Sequence, residues 1–174
     1  MRNKIFSLLI FVIGLMGLSK LSWMLSRGCI LSWHHNLIAP FFAPPKWIFA
    51  IVWPILYIFL AVSAWIIWEK RHQQNIYNPM ALFCLHMLLN LSWSPLYFCI
   101  KSLLFGVVLM LLITYMAMIN YQQFKAIEPL AGELMIPYLI WIGFALILSL
   151  SYFVLNYPCS YFKIFSCFLV RGNC

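Results

Sequence analysis

Three sets of side chains are spaced so that each falls on one face of a helix. Phe49, Trp53 and Tyr57 recur at i, i+4 and i+8, and His86, Asn90, Trp93 and Tyr97 at i, i+4, i+7 and i+11. Pro137, Trp141, Ala145, Ser149 and Tyr152 follow the same helical period. Aromatic faces with a polar group among them could line an inter-helix cavity for a flat, mostly apolar ligand. They could equally do no more than pack helices together, the commoner use of such stripes. Asn90 favours a site, because an amide set in hydrocarbon must find a partner. Pro54 and Pro95 fall inside two of these stretches, and each removes one backbone hydrogen bond and bends its helix. The carbonyls of Ala50 and Leu91 then need other partners. Such bends either open a cavity or only shape the packing.

Other chemistry is poorly supported. The three carboxylates, Glu69, Glu128 and Glu133, sit in connections, and there is no Asp. A paired-carboxylate mechanism needs two acids held at one site. A Ser-His-Asp arrangement lacks its Asp, and no G-x-S-x-G turn is present. His34-His35 stand without carboxylate or Cys company, so no metal site is expected, and His86 reads as a hydrogen-bonded interior residue. Ion- or proton-coupled transport is disfavoured, because the helix interiors offer only His86 as an ionisable group.

The elements that position these stripes follow from composition. Of 174 residues, 66% are apolar and 8% charged, and the mean hydropathy is +0.97. A soluble fold of this size could not hide so much apolar side chain. The expected class is an all-α integral, multi-pass membrane protein whose first partner is the lipid bilayer. Helices are expected at about 5–25, 47–68, 80–100, 103–124 and 134–157, each near the ~20 residues needed to cross a ~30 Å hydrocarbon core. Residues 1–157 thus form one five-helix domain. Residues 158–174 form an extension, interfacial or loosely ordered, because Lys163 interrupts an apolar run too short to span. The basic, apolar start also describes a signal peptide, but no A-x-A site follows and a retained first helix is expected.

The net charge of +8 comes from scattered Lys and Arg, which suits helix flanks near anionic headgroups rather than a nucleic-acid surface. Cations divide about evenly between the two ends, with Lys20 placed near the far end of the first helix, so the charge bias sets no orientation. None of the six cysteines is spaced C-x-x-C, and Cys84 and Cys99 read as packing residues within apolar runs. The longest connection, about Ser26 to Lys46, holds Trp33, Pro40, Phe41, Phe42, Pro44 and Pro45. Its rings and prolines suit a lid folded over one end of the bundle, or a belt lying in the headgroup layer.

These blocks resemble a known family. The stretch Trp33…Pro40…Pro44-Pro45-Lys46-Trp47-Ile48-Phe49…Trp53…Tyr57 is similar to the first-loop and second-helix signature of the TspO/MBR family, the translocator proteins once called peripheral benzodiazepine receptors. Leu89-Asn90-Leu91-Ser92-Trp93-Ser94-Pro95-Leu96-Tyr97-Phe98 resembles its N-x-x-W-x-P-x-F-F segment, and Pro137-Tyr138-Leu139-Ile140-Trp141…Phe144-Ala145 its P-Y-x-x-W-x-x-F-A block. The resemblance, to a bacterial-like member, covers about residues 5–157. It implies a five-helix receptor-like protein, usually a dimer, that binds porphyrins between its helices beneath the first loop, in some members sterols and drugs, and requires no cofactor. Ligand-binding positions implied together with the stripes are Phe49, Trp53, Tyr57, Asn90, Trp93, Trp141 and Ala145, under a lid of Trp33, Pro40, Phe42, Pro44 and Pro45. Some relatives degrade porphyrin in light, which would make Trp53 and Trp141 the reactive positions, and transport of tetrapyrroles or sterol-like lipids is a further alternative. The membrane would be the cell membrane of a bacterium, inner or outer. The chain departs from the pattern with Phe42 for the usual Trp, Ala39 for Lys or Arg, and Ser149 for a frequent Asn.

Overall fold

The computed structural model describes residues 2–33 and 36–156. Among these residues six helices follow in order: α1 Arg2–Trp33, α2 Lys46–Glu69, α3 Tyr77–Ile100, α4 Leu103–Ile127, α5 Pro129–Glu133 and α6 Ile136–Asn156. Five stretches of the described residues, with α5 and α6 counted as one, are long and apolar enough to cross a membrane. The protein is therefore an all-α bundle of the integral, multi-pass kind. His34-His35 and the extension at 158–174 lie outside the described residues.

Packing runs α2–α1–α3–α4–α6 around the bundle, and α2 meets α6 again only sparsely, so the ring is loosest along that seam. One end gathers the start of α1, the α2–α3 connection, and α5. Here small residues let helices approach closely: Ala61, Ala64, Ala117 and Ala131 are fully buried beside Leu60, Ile67, Phe124 and Met135. The Ser63 hydroxyl donates to the Ala131 carbonyl at 2.6 Å, tying α2 to α5. Lys4 and Arg71 each reach Glu69 at 3.5 Å, and Lys70 meets Glu128 at 2.7 Å. All three acids of the chain thus lie at this end, called here the acid end.

The other end, called here the loop end, carries residues 36–45 and the turn between α3 and α4. Lys101 closes α3 in the left-handed region (φ 58°), and the Ser102 hydroxyl caps α4 by accepting from the Phe105 amide. The carbonyl that Pro95 deprives of its helical partner is supplied by α1: the Ser22 hydroxyl donates to Leu91 O. One turn further, Ser94 donates to Ser26 at 2.9 Å, and beyond it Cys29 is joined to Cys99 by a disulfide.

Several expectations are corrected here. α1 does not stop near residue 25 but continues to Trp33, so Trp33 lies on the last turn of that helix. The Ser-rich contact with α3 and the disulfide hold those extra turns against the bundle. Cys99 is a cross-link, not a packing residue. The extension of α1 also moves Lys20 from a helix end to mid-depth. Ser19 lies beside Tyr57, midway along α2, and Ser22 meets Leu91 of α3.

Candidate ligand site beneath the first connection

At mid-depth, α2, α3 and α6 each contribute a polar group to a string enclosed by hydrocarbon. The Tyr57 hydroxyl donates to Asn90 Oδ1 at 2.8 Å, and Asn90 Nδ2 donates to the Tyr138 oxygen at 2.8 Å. Tyr138 in turn lies 2.8 Å from His86 Nε2. One proton links this pair, and the other ring nitrogen, His86 Nδ1, is buried with no partner. The helical period explains the string: His86 and Asn90 are one turn apart on α3, so both reach the single hydroxyl of Tyr138.

Above this string, toward the loop end, the seam between α2 and α6 is filled by rings. Trp53 stacks on Tyr57 at 5.5 Å and 26°. Phe49, one turn nearer the end, meets the edge of Trp141 at 5.6 Å. Trp141 also contacts Phe144 at 5.6 Å, and Phe144 contacts Phe42 from the connection at 6.3 Å. Ala145, one turn after Trp141, is buried. The Trp141 indole N–H is buried and has no acceptor.

The connection lies over this ring cluster and is fastened to α6. Asn156 Oδ1 accepts from the Ile38 amide at 2.7 Å, and Asn156 Nδ2 donates to the Ile38 carbonyl at 3.0 Å. The side-chain amide thereby reproduces the two-way pairing of one strand residue with another. A turn follows, closed by the Ala43 amide on the Pro40 carbonyl at 3.0 Å. Pro40 is buried, Pro44 half-buried and Pro45 exposed, and Pro45 precedes the first turn of α2. Arg27, Lys46 and Lys101 surround this end, opposite the one that holds Glu69, Glu128 and Glu133.

Not all the stripe residues converge. Phe49 and Trp141 meet directly, and Trp53, Tyr57 and Asn90 form a continuous chain of contacts. Trp93 instead turns to α4, stacking on Tyr97 at 4.7 Å and donating to the Gly106 carbonyl at 3.2 Å. Tyr138, Phe144 and Asn156 belong to the site region, yet helical spacing alone did not single them out. The signal for Tyr138 is its hydroxyl, which in hydrocarbon requires a partner that only the α3 amide and imidazole can supply. Two open clefts, of about 440 and 420 Å³, lie at the acid end and share no residue with the ring cluster.

The sequence model of the TspO/MBR family matches residues 7–155. The chain is 32% identical over 127 residues to the tryptophan-rich protein TspO of Chlorobaculum tepidum, covering 72% of this chain and 80% of that one. It is 30% identical over 125 residues to the translocator protein of Ovis aries, covering 71% and 74%. Over 135 residues it is 27% identical to protein CrtK of Rhodobacter capsulatus, covering 75% and 84%. The family match spans all five membrane-crossing stretches and all three sequence blocks, and the chain belongs to the TspO/MBR family.

Proposed function

We propose that the protein binds a porphyrin, or a similarly flat and acid-edged hydrophobic molecule, between α2, α3 and α6 beneath residues 36–45. The observation that carries this reading is Trp141. A buried indole N–H without an acceptor is costly in a membrane interior, and it sits in the seam between α2 and α6, two helices that meet only sparsely. A ligand carrying an acceptor would satisfy it. The rings of Phe49, Trp53 and Phe144 offer stacking surface, and Arg27, Lys46 and Lys101 favour an acidic edge at the mouth. Binding requires these rings to turn aside, because they fill the seam. Association of two copies belongs to the same reading, although no two glycines lie four apart to mark a face for it.

The test is titration of the purified protein with protoporphyrin IX in the dark, read by tryptophan fluorescence. Trp141→Phe is expected to weaken binding by about tenfold, the equivalent of one lost hydrogen bond to a buried group at about 1.4 kcal/mol. Trp53→Phe is expected to weaken it less, since Phe keeps a ring over Tyr57. Unchanged affinity in both variants would remove the assignment.

A further inference from the structure

Lys20 is a charge in the wrong place for a helix that only faces lipid. Two neighbours fix its depth: Ser19 lies beside Tyr57 at the middle of α2, and Ser22 bonds Leu91 near the middle of α3. The hydrocarbon edge is then about 15 Å away on either side, farther than a lysine side chain extends. Helical side chains also tilt toward the N-terminus, so Lys20 leans away from the loop end, where the basic flank of the helix lies. Snorkelling to that edge is therefore poorly available. The residue is exposed on the outer face of α1, and among the described residues it has no hydrogen-bond or ion-pair partner. An ionisable group at this depth is costly and marks a contact that neutralises it.

We propose that the outer face of α1 docks a transmembrane helix of another protein that carries an Asp or Glu at mid-membrane depth, paired to Lys20. The surface around the lysine suits a helix. Ile10, Ile13, Leu21 and Met24 present an apolar strip, and a Cβ added at Gly17 would meet nothing within 4 Å, so a partner backbone approaches closely beside the charge. α1 is also by far the least enclosed of the five spans. A second copy of this chain cannot supply the acid. Its only side-chain carboxylates, Glu69, Glu128 and Glu133, all lie at the acid end, half the membrane away from Lys20. Lipid headgroups are excluded by the same distance.

The experiment uses the full chain in lipid vesicles with a synthetic leucine-rich transmembrane peptide bearing one central Glu. Control peptides carry Gln at that position, or Glu displaced two turns toward one end. Association is read by energy transfer between labels on the peptide and on the protein's N-terminus. The central-Glu peptide is expected to associate at least tenfold more tightly than either control, and Lys20→Met is expected to abolish the difference. Helical circular dichroism and thermal unfolding of Lys20→Met, unchanged from the parent, show that the variant is folded. Equal association of all three peptides, or a Glu preference that survives Lys20→Met, would overturn the proposal. So would saturating the α1 face with a second copy, detected as Gly17→Cys cross-linking between copies that the central-Glu peptide does not compete away.

Discussion

Breaking the Cys29–Cys99 bond probes how the loop end is held. The cross-link closes a stretch of 70 residues that includes the first connection and all of α2. Chain-entropy arguments give about 4 kcal/mol for a loop of that length. That figure assumes a free coil, whereas α1 and α3 remain confined as helices in a bilayer or micelle, so about 2 kcal/mol is the better expectation. For a chain of this size, such a loss lowers the melting temperature by roughly 4–8 °C. The assay is thermal unfolding in detergent of the parent, the dithiothreitol-reduced protein and the Cys29→Ser, Cys99→Ser double variant. The double variant also exposes residues 36–45 to protease, because the turns of α1 leading into them lose their anchor on α3. Disulfides persist only on the oxidising side of a membrane. Cysteine introduced at Ala43 is therefore expected to react with an impermeant maleimide on intact cells, and one at Gln73 only after permeabilisation. Identical melting and proteolysis in all forms would refute the anchoring argument, and the reverse labelling pattern would refute the orientation.

Three further outcomes follow from particular contacts. Tyr57→Phe strips a donor from Asn90 Oδ1 and is expected to cost between about 0.6 kcal/mol, the mean for an interhelical bond in a membrane, and about 2 kcal/mol for a buried orphan; a double-mutant cycle with Asn90→Leu measures the coupling. Gly106→Ala drives a methyl into the Tyr97 ring, so the Trp93–Tyr97 stack must move; a loss of about 1–3 kcal/mol and a shifted tryptophan emission are expected. Any consumption of bound protoporphyrin is expected to need light and oxygen, because Glu69, Glu128 and Glu133 lie at the end opposite the ring cluster; absorbance loss at equal rate in the dark without oxygen would contradict this.

The architecture was legible because the bilayer imposes one period and one length on every spanning element. Runs such as Trp47–Trp68 and Leu103–Phe124 announce themselves by hydropathy alone. What escaped the sequence was lateral pairing. The extra turns of α1 depend on Ser22, Ser26 and Cys29 meeting α3, and neither serine nor cysteine signals its partner locally. The depth of Lys20 shifts for the same reason, since hydropathy places the end of α1 near residue 25 while its contacts with α3 carry it to Trp33. Within the site, spacing identified Tyr57 and Asn90 as members of separate stripes. It could not show that Tyr138 joins Asn90 to His86, or that Trp93 faces α4.

The two ends of the bundle are built on opposite packing rules. At the acid end, alanines bring backbones together, and a ligand could enter only by separating helices. At the loop end, Phe49, Trp53, Trp141 and Phe144 hold backbones apart, so the space between helices is made of side chains. Side chains turn at a small fraction of the cost of parting helices, and rotating aromatic rings leaves every backbone hydrogen bond intact. The cover has the matching property. It is tethered upstream by the disulfide and by the Asn156–Ile38 pair, and downstream by the first turn of α2. Only residues 39–45 are left to swing, and Pro40, Pro44 and Pro45 make that segment stiff. A stiff segment between two fixed points moves as a flap and does not unravel. The ring it carries into the seam is Phe42, against Phe144. In the proposed mode of binding, lifting Phe42 would uncover Phe144 and Trp141 together and present the unsatisfied indole N–H to the ligand.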